Sequence, residues 1–93
     1  MAYYVYITTN PAKIVLYIGV TADMVRRLGL HYDNRGSAKT FAGRYFCYNL
    51  LYWELFTDIR SAIAREKELK GWTRAKKEVL IATMNPEWEF LRM

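Results

Sequence analysis

Residues 3–20, YYVYITTNPAKIVLYIGV, form the stretch of sequence that decides the fold. Two β-branched and aromatic runs, Tyr3–Thr8 and Ile14–Val20, are typical of strands, and the Asn-Pro-Ala segment between them is typical of a turn. Together they predict an antiparallel β-hairpin. A turn centred on the Pro-Ala dipeptide places Tyr6 and Tyr17 opposite or nearly opposite each other, within cross-strand reach.

The sequence after the hairpin predicts helices and one further strand. Asn49–Phe56 has strand composition, and its middle, Leu50–Trp53, is too apolar for an exposed sheet edge. The order β-β-α-(α)-β-α-α predicts an α/β (α+β) fold with a three-stranded antiparallel sheet flanked by helices. The remaining elements are a helix capped by Thr21, a short helix or turn at residues 41–45, a helix closed by Gly71, a helix capped by Thr73, and a last turn opened by Asn85-Pro86.

The composition predicts one small domain over residues 1–93. Hydrophobic residues make up 53% of the chain and aromatic residues 16%, which suffices for a single compact core. Fourteen Lys and Arg against nine Asp and Glu give a net charge of +5, which favours a polyanionic partner, above all nucleic acid. The chain has one cysteine and one histidine, which excludes an internal disulfide and a zinc site of the usual ligand count. Since no signal peptide or long apolar run is present, we expect a cytoplasmic protein without a membrane segment.

A carboxylate interrupts the apolar stripe of the helix that Gly71 closes. At helical spacing, Glu66 points the same way as Ala62, Ile63 and Leu69. A carboxylate on a core-facing stripe is costly unless a positive group meets it. Two interpretations follow: a structural ion pair with Arg or Lys, which the spacing alone favours, or a bound metal ion.

Several short motifs occur in order along nearly the whole chain. They are Tyr4-Val5-Tyr6, Tyr17-Ile18-Gly19 with the following Val20-Thr21, Arg27 with His31, the run Glu66–Trp72 with Arg65 before it, and Asn85–Trp88. In this order and spacing they resemble the GIY-YIG nuclease family, most closely its small stand-alone bacterial members. Tyr4 stands where the family name has its first glycine, a change that a strand tolerates. Any one of these motifs is weak, and their combination is a strong signal.

The resemblance implies hydrolysis of phosphodiester bonds in DNA at one divalent metal ion, Mg²⁺ or Mn²⁺. It implies that Glu66 is the metal ligand, which suits Mg²⁺ because this ion usually keeps several waters and takes one or two carboxylates. Tyr6 is then the group that activates water, Tyr17 positions water or phosphate, and Arg27 stabilises charge on the phosphate. RNA is not excluded as a substrate, and a role in repair or processing of DNA structures is expected.

The resemblance also implies site roles for three further residues. His31 follows Arg27 by one helical turn and shares its face, and Gly19 is the motif glycine. Asn85 is carried over as a site residue, although it also suits an N-cap before Pro86. Each assignment has a structural alternative, because tyrosines often fill strand cores, helical arginines usually face solvent and a lone histidine often caps a helix.

Basic residues and a tryptophan are concentrated in the two C-terminal helices. They could follow a phosphate backbone with the tryptophan stacked on a base, or they form a solvated helical face. Three classes therefore remain open: a metal-dependent endonuclease, which we favour, a non-catalytic nucleic-acid-binding module that retains the fold, and a protein-interaction domain. The sequence predicts no oligomeric state. The residues of this basic segment are Arg65, Lys67, Lys70, Trp72, Arg74, Lys76 and Lys77.

Overall fold

A computed structural model describes residues 1–92 of the chain, and its elements follow the predicted order. Met93, the last residue of the predicted domain, lies outside the described residues. Within residues 1–92, no helix is long and apolar enough to cross a membrane. The elements are β1 (Tyr3–Thr9), β2 (Leu16–Thr21), α1 (Met24–Asp33), α2 (Phe41–Arg44), β3 (Asn49–Phe56), α3 (Ile59–Lys70) and α4 (Arg74–Met84).

The three strands form one antiparallel sheet in the order β2-β1-β3, which confirms the predicted fold class. β1 is the central strand, and its residues from Val5 to Thr9 are buried because helices cover both faces. Alternation along β1 sends Val5 and Ile7 into a core under α3 and α4, while Tyr6 packs with Met24 of α1 on the opposite face.

The hairpin register differs slightly from the prediction. Tyr6 pairs with Gly19 and Thr8 pairs with Tyr17, so the two tyrosines are diagonal neighbours on one face. The cause is a connection longer than a tight turn, in which the side-chain oxygen of Asn10 accepts the backbone N–H groups of Ile14 (2.8 Å) and Val15 (3.0 Å). Cross-strand reach between the tyrosines is retained.

The apolar strand β3 lies at the sheet edge, contrary to the expectation from its composition. The C-terminal segment covers the first half of that edge: the backbone N–H of Leu91 donates to the carbonyl of Leu50 (2.8 Å), and Asn85 Nδ2 donates to the carbonyl of Leu51 (3.0 Å). The expectation was wrong about position, but its physical reason holds, because these carbonyl groups are paired.

Two of the four predicted caps agree with the structure, and the exceptions are Thr21 and Asn85. Thr73 caps α4 and Gly71 closes α3, as predicted. Thr21 does not cap α1, because it still belongs to β2, and Asp23 caps the helix by accepting the N–H of Arg26 (3.1 Å). The Thr21 hydroxyl instead accepts the N–H of Asp23 (3.1 Å), so it orders the turn that leads into α1.

Candidate active site

Four of the side chains singled out in the sequence meet between the hairpin and α1. The hydroxyl of Tyr6 lies 2.8 Å from His31 Nε2, and Arg27 Nε donates to the same hydroxyl at 3.2 Å. The ring of Tyr17 lies 6.2 Å from that of Tyr6 and 5.3 Å from that of His31, measured between centroids. Arg27 and His31 reach Tyr6 together because they occupy positions one turn apart on the inner side of α1.

Gly19 makes this arrangement sterically possible. A Cβ atom at Gly19 would lie 2.4 Å from the hydroxyl oxygen of Tyr6 and 2.5 Å from its Cζ atom. Tyr6 therefore lies across the backbone of its own cross-strand partner, as only a glycine allows. The sequence predicted a close approach at Gly19, and the approaching group is a site side chain.

Burial and charge determine the protonation states in the cluster. Burial raises the pKa of Tyr6 to about 12, against the hydrogen bond from Arg27, which acts to lower it. Burial and the positive charge of Arg27 lower the pKa of His31 to about 4, so the imidazole is neutral at pH 7. Since the Tyr6 oxygen already accepts from Arg27, we assign the phenol hydrogen to the contact with His31 Nε2, and the neutral imidazole then carries its proton on Nδ1.

The cluster opens on a groove made of three adjoining cavities, which we call the site groove. The central cavity, ≈ 130 Å³, is lined by Tyr17, Arg27, His31 and Phe41 among others. A second, ≈ 300 Å³, shares Tyr17 and Phe41 with it and adds Lys70 and Lys77. A third, ≈ 350 Å³, shares Arg27 and adds Arg26. The groove therefore carries positive charge at both ends, as a polyanion would require.

Tyr6 and Tyr17 differ in their access to this groove. Tyr17 forms part of the wall of two cavities, whereas Tyr6 is fully buried behind it. A ligand in the groove therefore meets Tyr17 and Arg27 directly. Tyr6 influences such a ligand indirectly, through its hydrogen bonds to Arg27 and His31, and contacts it only if a neighbouring side chain moves aside.

Glu66 lies beside the cluster with its carboxylate largely free of structural partners. Its side chain is 17% exposed, and its ion-pair partner is Lys70, at 3.4 Å and 52% exposed. Its negative charge is one of the influences that raise the pKa of Tyr6, so the two groups are close enough to interact. Within residues 1–92, no group of three or more His, Cys, Asp or Glu could hold a metal. The donor set fits Mg²⁺, for which one carboxylate and several waters suffice.

The structure divides the predicted nucleic-acid-binding segment. Lys70 lines the site groove, and Lys67 is exposed on α3. Arg65 is held by Glu54 through two contacts of 2.9 Å and by Glu68 at 2.7 Å. Lys77 also lines the groove, Trp72 and Lys76 line a different cavity, and Arg74 binds the hairpin connection.

Trp72 and the cations around it belong to a different surface. Arg65 and Lys76 lie 5.1 Å and 4.8 Å from the Trp72 ring centroid, and Trp72 and Lys76 line a separate apolar cavity of ≈ 380 Å³. Arg74 pairs with Glu78 (3.0 Å) and donates to the backbone carbonyl of Ile14. Arg74 thereby holds the hairpin connection against α4 and has less freedom to bind a phosphate.

Asn85 lies apart from the cluster, at the outer edge of β3. It is the buried C-cap of α4 and not an N-cap before Pro86. Its amide donates to the carbonyls of Leu51 (3.0 Å) and Glu89 (2.7 Å), and its oxygen accepts the N–H of Glu89 (2.9 Å). These bonds occupy the side chain structurally, so the site that we propose below does not include it.

Sequence reasoning missed two residues that line the groove, Phe41 and Arg26. The available signal for Phe41 was an aromatic residue directly after the segment Gly36–Thr40. Arg26 gave no signal, because exposed basic residues are common on helices and only the fold brings it to the groove.

The chain is thus a three-stranded α+β domain whose tyrosine, arginine and histidine cluster opens on a basic groove. The model of the GIY-YIG catalytic domain matches residues 2–79, and the chain belongs to the GIY-YIG family.

A UPF0213 protein of Bacillus pumilus is 39% identical over 74 residues, 80% of this chain and 74% of that protein. A UPF0213 protein of Natronomonas pharaonis is 39% identical over 80 residues, 86% of this chain and 91% of that protein. The solution NMR structure of a UPF0213 protein from Bacillus halodurans is similar, with 31% identity and a TM-score of 0.59 over 96% of this chain and 92% of that one.

Proposed function

We propose that the protein is a divalent-metal-dependent endonuclease that hydrolyses phosphodiester bonds in DNA, in the cytoplasm, during repair or processing of DNA structures. The observation that carries the proposal is the hydroxyl of Tyr6, which is bound at once to His31 Nε2 and Arg27 Nε behind a groove with cations at both ends. A binding module needs the cations, but it has no use for a buried phenol placed between a proton acceptor and a guanidinium.

Each residue of the cluster has a role that its geometry allows. Arg27 faces the groove and neutralises phosphoryl oxygen charge, and the phenol of Tyr17 orients the phosphate or the attacking water. Tyr6 starts as a neutral phenol, since its pKa is about 12. It acts as a base only as its own proton moves to His31 Nε2, while the hydrogen bond from Arg27 stabilises the oxygen that is left.

Glu66 is the residue that would hold the metal ion, because its carboxylate is partly buried beside the cluster and lacks a strong structural partner. A bound Mg²⁺ or Mn²⁺ lowers the pKa of a water and neutralises phosphate charge. Such help is needed, because Tyr6 is protonated at neutral pH and His31, with a pKa of about 4, is a weak base toward an ordinary water.

The full burial of Tyr6 favours one alternative function, a nucleic-acid-binding module that retains the fold without catalysis. In that case the phenol fills the core and the groove cations hold the ligand. The alternative requires binding of DNA with no hydrolysis under any metal condition.

The deciding experiment incubates the protein with labelled single-stranded, duplex, flap and branched DNA, and with RNA, in Mg²⁺, in Mn²⁺ and in excess EDTA. We expect cleavage of at least one DNA structure with metal and none in EDTA. Arg27→Ala should lower turnover about 100- to 1000-fold, as loss of an oxyanion donor does. Lys67→Ala, a matched cation on an exposed face, should change turnover less than about twofold. Equal cleavage in EDTA would refute the metal mechanism, and bound but uncut DNA in every arm would favour the binding module.

A further inference from the structure

Phe41 is a large apolar side chain that folding does not explain. It is the first residue of α2, and its side chain is 51% exposed at the rim of the proposed site. Its ring stacks on that of Tyr17, with centroids 6.1 Å apart and planes inclined by 26°. Tyr45, 42% exposed, lies 4.7 Å from Phe41. Phe41, in contact with a site residue and backed by Tyr45, offers apolar surface to a ligand in the groove.

The position of Phe41 within the groove suggests the chemistry of that ligand. The ring is shared by the cavity that contains Arg27 and His31 and by the cavity that contains Lys70 and Lys77. A chain that crosses both cavities meets cations before and after the ring. A polymer of phosphates with aromatic bases between them matches this alternation of positive and aromatic groups.

The segment that carries Phe41 is held firmly, so the ring is presented on a defined backbone. The hydroxyl of Thr40 accepts the N–H of Gly43 (2.9 Å), and the carbonyl of Gly43 accepts the N–H of Gly36 (2.7 Å). A Cβ atom at Gly43 would lie 2.6 Å from the carbonyl oxygen of Asn34, which shows how closely α2 packs on the end of α1. A ring on such a support loses little freedom when it binds.

We propose that Phe41, supported by Tyr45, is a stacking subsite for one nucleobase of the substrate, next to the phosphate held by Arg27 and Tyr17. Lys70 and Lys77 bind the backbone on the far side of that base. The inference rests on the proposed function for the identity of the polymer. A base seated on Phe41 has left the stack of a duplex, so the subsite selects an unpaired or extruded nucleotide at the cleavage position.

The test measures DNA binding in EDTA, where no cleavage is expected, and cleavage in Mn²⁺ on the same oligodeoxynucleotides. Each oligodeoxynucleotide of the set carries one abasic nucleotide, at a position that differs from one oligonucleotide to the next, and each is used in single-stranded and in duplex form. Phe41→Ala should weaken binding about 5- to 100-fold, the range for loss of one base–aromatic stack. At the position whose base stacks on Phe41, the abasic oligonucleotide should bind the parent protein and Phe41→Ala equally well, because the contact between base and ring is already absent. Phe41→Trp should restore binding, and Phe90→Ala, at an exposed ring outside the groove, should leave it unchanged.

The outcomes separate the subsite from the nuclease activity. Cleavage that is insensitive to Phe41→Ala would overturn the subsite and leave the proposed function standing. Binding that depends on Phe41 and on one base, without cleavage in any metal, would support the subsite and overturn the nuclease. A loss of binding that is the same at every abasic position would overturn the subsite, since it indicates general disruption of the groove. Thermal unfolding of Phe41→Ala confirms that the variant is folded.

Discussion

At the scale of single residues, opposing influences meet at the hydroxyl of Tyr6. Burial disfavours the phenolate and raises the pKa to about 12, whereas the hydrogen bond from Arg27 favours it. His31 is kept neutral, so its Nε2 can accept a hydrogen bond from the phenol, and the difference between the two pKa values keeps the proton on Tyr6. The cluster therefore rests in a neutral phenol–imidazole state, and any activation of Tyr6 must be coupled to the approach of the nucleophile.

Tyr6→Phe tests this arrangement. The change removes the hydroxyl and leaves Arg27 Nε and His31 Nε2 without a partner, which should destabilise the fold by about 1–3 kcal/mol. Cleavage of any substrate should fall about 100- to 10,000-fold, as expected for a lost general base. Tyr17→Phe, on the groove wall, should change stability by less than about 0.5 kcal/mol and lower activity less. Calorimetry and a single-turnover assay measure both effects. Full activity of folded Tyr6→Phe would remove Tyr6 from the proposed chemistry.

At the scale of the elements, the packing of the hairpin depends on the absence of a side chain at Gly19. Gly19→Ala brings a methyl group against the buried and hydrogen-bonded ring of Tyr6, which has no space to withdraw. We expect a loss of about 1–3 kcal/mol in unfolding free energy together with reduced cleavage. Gly29→Ala is the matched control on exposed α1, where nothing lies within 4 Å of the new Cβ. It should raise stability by about 0.5–1 kcal/mol and leave activity unchanged. Equal effects of the two substitutions in denaturant unfolding would contradict this account of the motif glycine.

Two neighbouring residues on α3 serve different purposes. Arg65 fastens the helix to β3 through both oxygens of Glu54, a contact supported by the Tyr52 hydroxyl at 2.5 Å. Glu66 faces the cluster with an exposed lysine as its partner. A roll of the helix by about 5° would move a carboxylate about 6 Å from its axis by about 0.5 Å, the tolerance of a functional site. The structural pair thus keeps Glu66 in position.

Glu66→Gln and Glu54→Gln should therefore separate function from stability. Glu66→Gln breaks only a 3.4 Å pair with a half-exposed lysine, so unfolding free energy should change by less than about 1 kcal/mol while cleavage and Mn²⁺ binding collapse. Glu54→Gln weakens a two-point contact whose side chains are 19% and 23% exposed, and should cost about 1–3 kcal/mol. Thermal unfolding and titration with Mn²⁺ followed by electron paramagnetic resonance measure the two quantities. If Glu66→Gln instead unfolds the protein while its folded fraction cleaves normally, Glu66 is structural.

Much of the architecture could be predicted because local signals and tertiary packing agree. The hairpin, the third strand and the caps Thr73 and Gly71 follow from residue type and spacing. Thr21 failed as a cap because Asp23, two residues later, offers a carboxylate at the first free N–H groups. The edge position of β3 and the role of Asn85 could not be predicted, because both depend on where the C-terminal segment returns to the sheet.

At the scale of the whole molecule, the net charge of +5 is less informative than the distribution of the cations. Arg65 and Arg74 are engaged in ion pairs away from the groove, while Lys70, which pairs with Glu66, is brought with Lys77 and Arg26 from three helices to one groove. Strand pairing predicted Tyr6 beside Tyr17, helical spacing predicted Arg27 beside His31, and the family resemblance implied that the two pairs share a site. It could not predict the groove, since the distance between α2 and α4 along the chain conceals their proximity.

The stability of the molecule should depend on pH through its single histidine. In the native state the pKa of His31 is lowered to about 4 from the ordinary 6.5, so between these values the unfolded chain binds a proton that the folded chain does not. The contribution is fully present above pH 6.5 and is lost as the pH falls, by about 2 kcal/mol between pH 7 and pH 5.

His31→Gln removes this titration, so its unfolding free energy should fall less than that of the parent over the same interval, whatever the cost of the substitution at pH 7. Carboxylates common to both proteins cancel in the comparison. Because the chain has one histidine, NMR titration of its imidazole nitrogens reports the site directly. We expect a neutral Nδ1-protonated ring at pH 6, and a raised pKa in Arg27→Gln, which removes the nearby positive charge. A midpoint near 6.5 in the parent protein, or identical pH slopes with and without His31, would show that the imidazole is not buried against Tyr6 and Arg27.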